Sequence, residues 1–192
     1  MDKTLHNSRT ETVTFGFWTY LMTDCVLFAC FFVTFAVLRN STFGGPVARE
    51  LFKLPYVFQE TVLLLTSSFT CGLAMLAAQQ GATKQVIAWF GVTLALGLAF
   101  LTMELAEFAH LIVDGNGPQR NAFLSSYFSL VGLHGLHIAV GSLWILVALV
   151  HIARRGLSGS TLQKLACLSL FWHFLDVVWI FIFSLVYLFS FA

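Results

Sequence analysis

The chain has 192 residues, 58% of them hydrophobic and 10% charged, with a formal net charge of +1. Soluble domains carry roughly 25% charged residues, so a water-soluble core is excluded as the home of this much apolar surface and lipid is the implied solvent. The charge balance and the lack of a basic run exclude nucleic acid as a partner, and the length leaves room for one membrane domain without a soluble catalytic one.

Residues 1–16 are polar and are expected to form a cytoplasmic N-terminal segment. The next window, about 17–38, is too long for a signal-peptide core and is followed by no small-residue cleavage site, so it reads as a retained helix. A span needs roughly 20 apolar residues, and four further windows qualify, at about 56–78, 86–110, 126–150 and 166–190. Strict alternation is absent and an open sheet edge cannot face lipid. The fold class is therefore all-α: one domain, 17–192, built as an integral membrane bundle of five transmembrane helices. Gly44, Gly45 and Pro46 break the first loop, Gly81 the second, Asn116 to Pro118 the third, and Arg154 to Ser160 the fourth. Pro46, Pro55 and Pro118 all read as loop residues. Lys3, Arg9, Lys84, Arg154, Arg155 and Lys164 fall on one side, and Arg39, Arg49, Lys53 and Arg120 on the other. That bias places the N-terminus in the cytoplasm and the C-terminus outside.

Asp24, Glu60, Glu104, Glu107 and Asp176 lie inside these windows without a Lys or Arg beside them, and His110, His134, His137 and His173 share the same or neighbouring windows. Charge at bilayer depth is costly, so such groups face a bundle interior and have partners. Counting depth along each helix predicts two separate polar layers. Asp24, His173 and Asp176 form one. Glu60, Glu104, Glu107, His110, His134 and His137 form the other, nearer the outer face.

Several readings compete for these residues. Glu107-x-x-His110 with His134 and His137 matches half of a di-iron bundle pattern, but no second Glu-x-x-His exists. Intramembrane acids and histidines also serve as proton relays, although two separate layers do not make a complete path. The plainest role is hydrogen bonding between helices, worth about 0.6–2 kcal/mol each. Ser67, Ser68, Thr70, Cys71 and Gly72, with Gly91, Gly97, Gly132, Gly135 and Gly141, supply small faces for close packing. Cys25, Cys30, Cys71 and Cys167 form no CxxC and read as small hydrophobes. Trp18, Tyr20, Tyr56 and Tyr187 read as interfacial aromatics. No nucleophilic triad, phosphate loop or cysteine metal frame is present, so catalytic, cofactor-binding and metal residues are expected to be none.

Three segments carry a family resemblance. Phe171-Trp172-His173-Phe174-Leu175-Asp176-Val177-Val178-Trp179, His134-Gly135-Leu136-His137 followed by Gly141-Ser142, and Met103-Glu104-Leu105-Ala106-Glu107-Phe108 stand in matching order and spacing. Together they resemble subunit III of the haem-copper respiratory oxidases, from about Phe15 to the C-terminus. The five-helix length, Gly16 to Asp24, and Leu168 to Trp179 are similar to the quinol-oxidase branch, where the large catalytic subunit carries the two missing helices.

The resemblance implies a non-catalytic accessory subunit of a bacterial inner-membrane complex that oxidises ubiquinol, reduces oxygen to water and moves protons outward. It implies packing beside the catalytic subunit I, with subunits II and IV as further partners. Haem and copper would sit in the partner catalytic subunit, with none in this chain, and phospholipids would lodge in a cleft. Glu60, Glu104, Glu107, His134, His137, His173 and Asp176 would then hold the bundle and its lipid cleft. Subunit III of a cytochrome c oxidase and a standalone proton-coupled transporter are the alternatives.

Overall fold

A computed structural model describes residues 2–42 and 54–188, with side chains from residue 12 onward. The described residues are helical or in turns, without strands. The helices are α1 Asp2–Leu38, α2 Leu54–Gln79, α3 Thr83–Val113, α4 Ala122–Arg155 and α5 Gly159–Ile182, the last continuing as a π-helical segment, Phe183–Leu188. Each contains a stretch long and apolar enough to cross a membrane. Gly44, Gly45, Pro46, Arg49 and Lys53 lie outside the described residues.

The helices outrun their apolar windows because a nucleated helix propagates at little cost. Arg154 and Arg155 consequently form the last turn of α4. There their charge complements the helix dipole. Pro55 sits in the first turn of α2, not in a loop. It is tolerated there because first-turn N–H groups have no intrahelical acceptor. Asn121 caps α4 by accepting from the Leu124 N–H at 2.8 Å, and Ser158 caps α5 by accepting from Thr161 N–H at 3.3 Å. The α2–α3 connection is only residues 80–82, and Gly81 turns it with φ of 71°, a conformation that costs a Cβ-bearing residue.

Side-chain pairs fix the packing direction. Phe17 meets Trp144, Phe28 meets His134 and Phe35 meets Phe123, so α1 and α4 run antiparallel. Thr61 meets Trp179 and Ser67 meets Trp172, so α2 and α5 are antiparallel. Phe28 to Phe174 and Phe32 to Phe181 run α1 parallel to α5. The near face of the bundle carries the 80–82 and 156–158 turns. The far face carries residues 114–121.

Close approach depends on missing side chains. A Cβ on Gly97 would sit 2.7 Å from the Trp172 ring, and one on Gly141 would sit 3.0 Å from it. A Cβ on Gly135 would run into the Glu104 carboxyl group. Gly72 and Gly91, expected to do the same, face open space. Outward positions such as Val26, Val33, Val37, Leu105, Leu143 and Phe181 are exposed on the isolated chain. That is the surface a lipid or protein neighbour covers.

Candidate functional site

The buried polar residues gather in three places. The far-face set combines α2, α3, α4 and the π-helical segment. Glu60 is fully buried, and neither of its carboxyl oxygens has a hydrogen-bond partner. Its carboxyl group lies within electrostatic range of Glu107 and Glu104. Tyr187 donates to Glu107 Oε2 at 3.4 Å, and the Tyr127 and Tyr187 hydroxyls meet at 2.9 Å. Tyr56 donates to the Met103 carbonyl at 3.0 Å. Glu107 and Tyr56 also line an open cavity of about 540 Å³ with Ala106, Ala109, His110, Leu111 and Val113.

Tyr187 is thus not an interfacial aromatic. The π-helical segment widens the helix, and this residue within it is fully buried against Tyr127. Trp18 and Tyr20 are exposed, as a belt requires.

The second set joins α1 to α4. His137 Nδ1 lies 2.7 Å from the Leu133 carbonyl. A carbonyl only accepts, so Nδ1 carries the hydrogen and donates. That leaves Nε2 facing Asp24 Oδ2 at 3.8 Å, with Tyr20 one turn before Asp24 and facing its carboxyl group. This corrects the two-layer division, because His137 belongs with Asp24 and not with the glutamates. Depth counting alone missed that the imidazole reaches across to α1.

The third set joins α2 to α5. Ser68 Oγ and His173 Nδ1 are 2.6 Å apart, and Asp176 Oδ2 lies 4.0 Å from the same nitrogen. His173 is partly exposed and borders a shallow apolar groove with Leu65, Phe69, Gly72, Leu73 and Leu76. Cys71 contacts Ser169 at 3.7 Å.

Between the first two sets stands His134, fully buried and boxed by Phe28, Phe100 and Trp179. His110 is not part of any cluster. It is exposed and its partner is Asp114, 4.0 Å away. The half di-iron pattern is therefore not assembled. Among the described residues, no group of three or more His, Cys, Asp and Glu is arranged to hold a metal ion. The arrangement can share hydrogen bonds and exchange protons within each set.

The sequence reading missed two anchors. Trp172 Nε1 donates to Ser67 Oγ at 2.9 Å and Trp179 Nε1 to Thr61 Oγ1 at 3.1 Å. A buried indole N–H needs an acceptor. Two tryptophans seven apart on α5, opposite two hydroxyls six apart on an antiparallel helix, were the available signal.

Comparison with known proteins converges on one family. The family described as "Cytochrome c oxidase subunit III" matches residues 2–191. "Cytochrome bo(3) ubiquinol oxidase subunit 3" of Pseudomonas aeruginosa is 59% identical over 183 residues, covering 95% of this chain and 87% of the relative. The protein of the same name from Pseudomonas putida is 50% identical over 183 residues, covering 95% and 88%. "Cytochrome c oxidase subunit 3" of Bacillus sp. (strain PS3) is 46% identical over 173 residues, covering 90% and 84%. Five apolar helices of spanning length and these relatives make the chain a multi-pass membrane protein. It belongs to the cytochrome c oxidase subunit III family.

Proposed function

We propose that this chain is the accessory subunit III of a bacterial, proton-translocating ubiquinol oxidase that reduces oxygen to water. The observation that carries this reading is 59% identity, across nearly the whole chain, to a relative named as subunit 3 of a bo(3) ubiquinol oxidase. Cytochrome c oxidase relatives stand at 46% and 47%, below the two Pseudomonas ubiquinol oxidase relatives at 59% and 50%, which favours the quinol reading. The subunit is non-catalytic by itself. Most of its intramembrane acids are buried inside the bundle, which suits a subunit that supports a neighbour. That neighbour is the catalytic subunit I, which carries the haem and copper, with subunits II and IV completing the complex.

Residues 1–16 are cytoplasmic, the five-span domain follows, and the C-terminus is periplasmic. Glu60, Glu104, Glu107, His134, His137, His173 and Asp176 act as structural polar residues. Of these, His173 borders a groove whose walls are otherwise mainly apolar, a surface suited to a phospholipid chain.

The test is affinity purification of the tagged chain in mild detergent, with an optical spectrum and a quinol-oxidase assay on the product. Haem bands, a large co-purifying subunit and oxygen uptake with ubiquinol support the assignment. A colourless chain without partners overturns it and revives the transporter reading. Within an assembled complex, His173→Ala or Asp176→Ala should lower the yield of complete complex more than its initial turnover. Full assembly with abolished initial rate would contradict the structural role.

A further inference from the structure

The far-face set, Glu60, Glu104 and Glu107 with Tyr56, Tyr127 and Tyr187, reaches the surface at the cavity beside Glu107. The near-face set, Tyr20, Asp24 and His137, reaches it at a cavity of about 490 Å³, where Tyr20 joins Ser160, Gln163, Lys164 and Cys167. His137 Nδ1 is committed to the Leu133 carbonyl. His137 Nε2 is thereby left facing Asp24 Oδ2 at 3.8 Å.

Between the two sets sits His134, with neither ring nitrogen hydrogen-bonded. Its ring centroid is 5.2 Å from Trp179, 5.9 Å from Phe100 and 6.4 Å from Phe28. The Phe28 ring, 2% exposed, also stands 5.2 Å from His137. One apolar ring thus faces both imidazoles at the level where the polar column is interrupted.

We propose that Phe28, together with Phe100 and Trp179, is a proton barrier that keeps the two polar sets from joining into a path across the membrane. A buried water needs two to four polar partners, and an apolar enclosure stays dry. Removing the Phe28 ring changes that balance. The space it leaves is bordered by His137 and His134, with Asp24 one turn away on α1. Those groups supply the partners that water needs, and water linking proton-exchanging groups conducts protons. His134 is the bridge that such water would use. The inference rests on the chain spanning a membrane and not on the oxidase assignment.

The experiment measures passive proton influx into vesicles holding the purified complex that contains this chain. A potassium diffusion potential drives the influx, an internal pH dye reports it, and neither quinol nor oxygen is supplied. Phe28→Ser should raise influx several-fold. Phe28→Ser with His134→Leu should return it to the parent level, and Phe181→Ser, at an exposed position, should leave it unchanged. An assembled Phe28→Ser complex as tight as the parent overturns the proposal, as does a leak undiminished by His134→Leu. Should Phe28→Ser prevent assembly, Phe28→Thr gives the same readout with a smaller loss of volume. Missing haem bands in the preparation would instead count against the oxidase reading, so the two failures are separable.

Discussion

The first and last spans of this bundle are built on opposite principles. In the α5 span, 61% of the apolar window is buried within the chain, against 22% in the α1 span. α5 is stapled by two indole hydrogen bonds to α2 and lies over two α-carbons, Gly97 and Gly141, that have no side chain. α1 makes contact mainly through Phe17, Phe28 and Phe35 and through Asp24, leaving Val26, Val33 and Val37 uncovered. Packing and hydrogen bonds, not hydrophobicity, hold helices together in lipid. The chain therefore fixes α5 by itself and leaves α1 to be completed by its surroundings.

Substitutions that crowd α5 should do the most damage. Gly97→Val places a branched side chain into Trp172, which is buried and tied to Ser67. Overpacking of this kind costs about 1–3 kcal/mol and sometimes more, and it should appear as a lowered unfolding temperature in detergent. Parent-like stability would mean that the α3–α5 contact is slack. Thr61→Val leaves the Trp179 N–H buried without its acceptor. The expected loss is about 1–3 kcal/mol, and Thr61→Ser should recover most of it.

The α1 contacts should prove weaker. A double-mutant cycle of Asp24→Asn and His137→Leu should give a coupling of about 0.6 kcal/mol and no more than about 1.7 kcal/mol, the range of intramembrane polar pairs. A larger coupling would promote α1 to the standing of α5. The smallest effect belongs to Val33→Ala with Val37→Ala. In the purified chain the pair should shift stability by less than about 0.5 kcal/mol each. A marked loss of assembled complex from the same substitutions would locate a protein neighbour on that face of α1.

The spans and their order were legible beforehand, the packing contrast was not, and what was not has physical causes. Apolar windows report span and order, because lipid demands satisfied backbones and therefore helices. They do not report which side of a helix a residue takes once geometry departs from the α repeat. Tyr187 was misplaced for that reason, since it lies within a π-helical segment. His134 and His137 are three residues apart and read as one pair, yet their rings part company. One is enclosed by aromatics, and the other turns to Asp24. Sequence spacing places their α-carbons on one face of α4 but does not say which neighbour each ring finds. The tryptophan anchors were readable in principle but required knowing that α2 faces α5.

The three-residue link at 80–82, turned by Gly81, bears on how the protein is made. A connection of that length cannot let α3 trail behind once α2 has entered the bilayer. The two segments must pass the insertion machinery as one hairpin, with Thr70 and Thr93 already able to meet at 2.8 Å. Lengthening this link with flexible residues would uncouple the two insertion events.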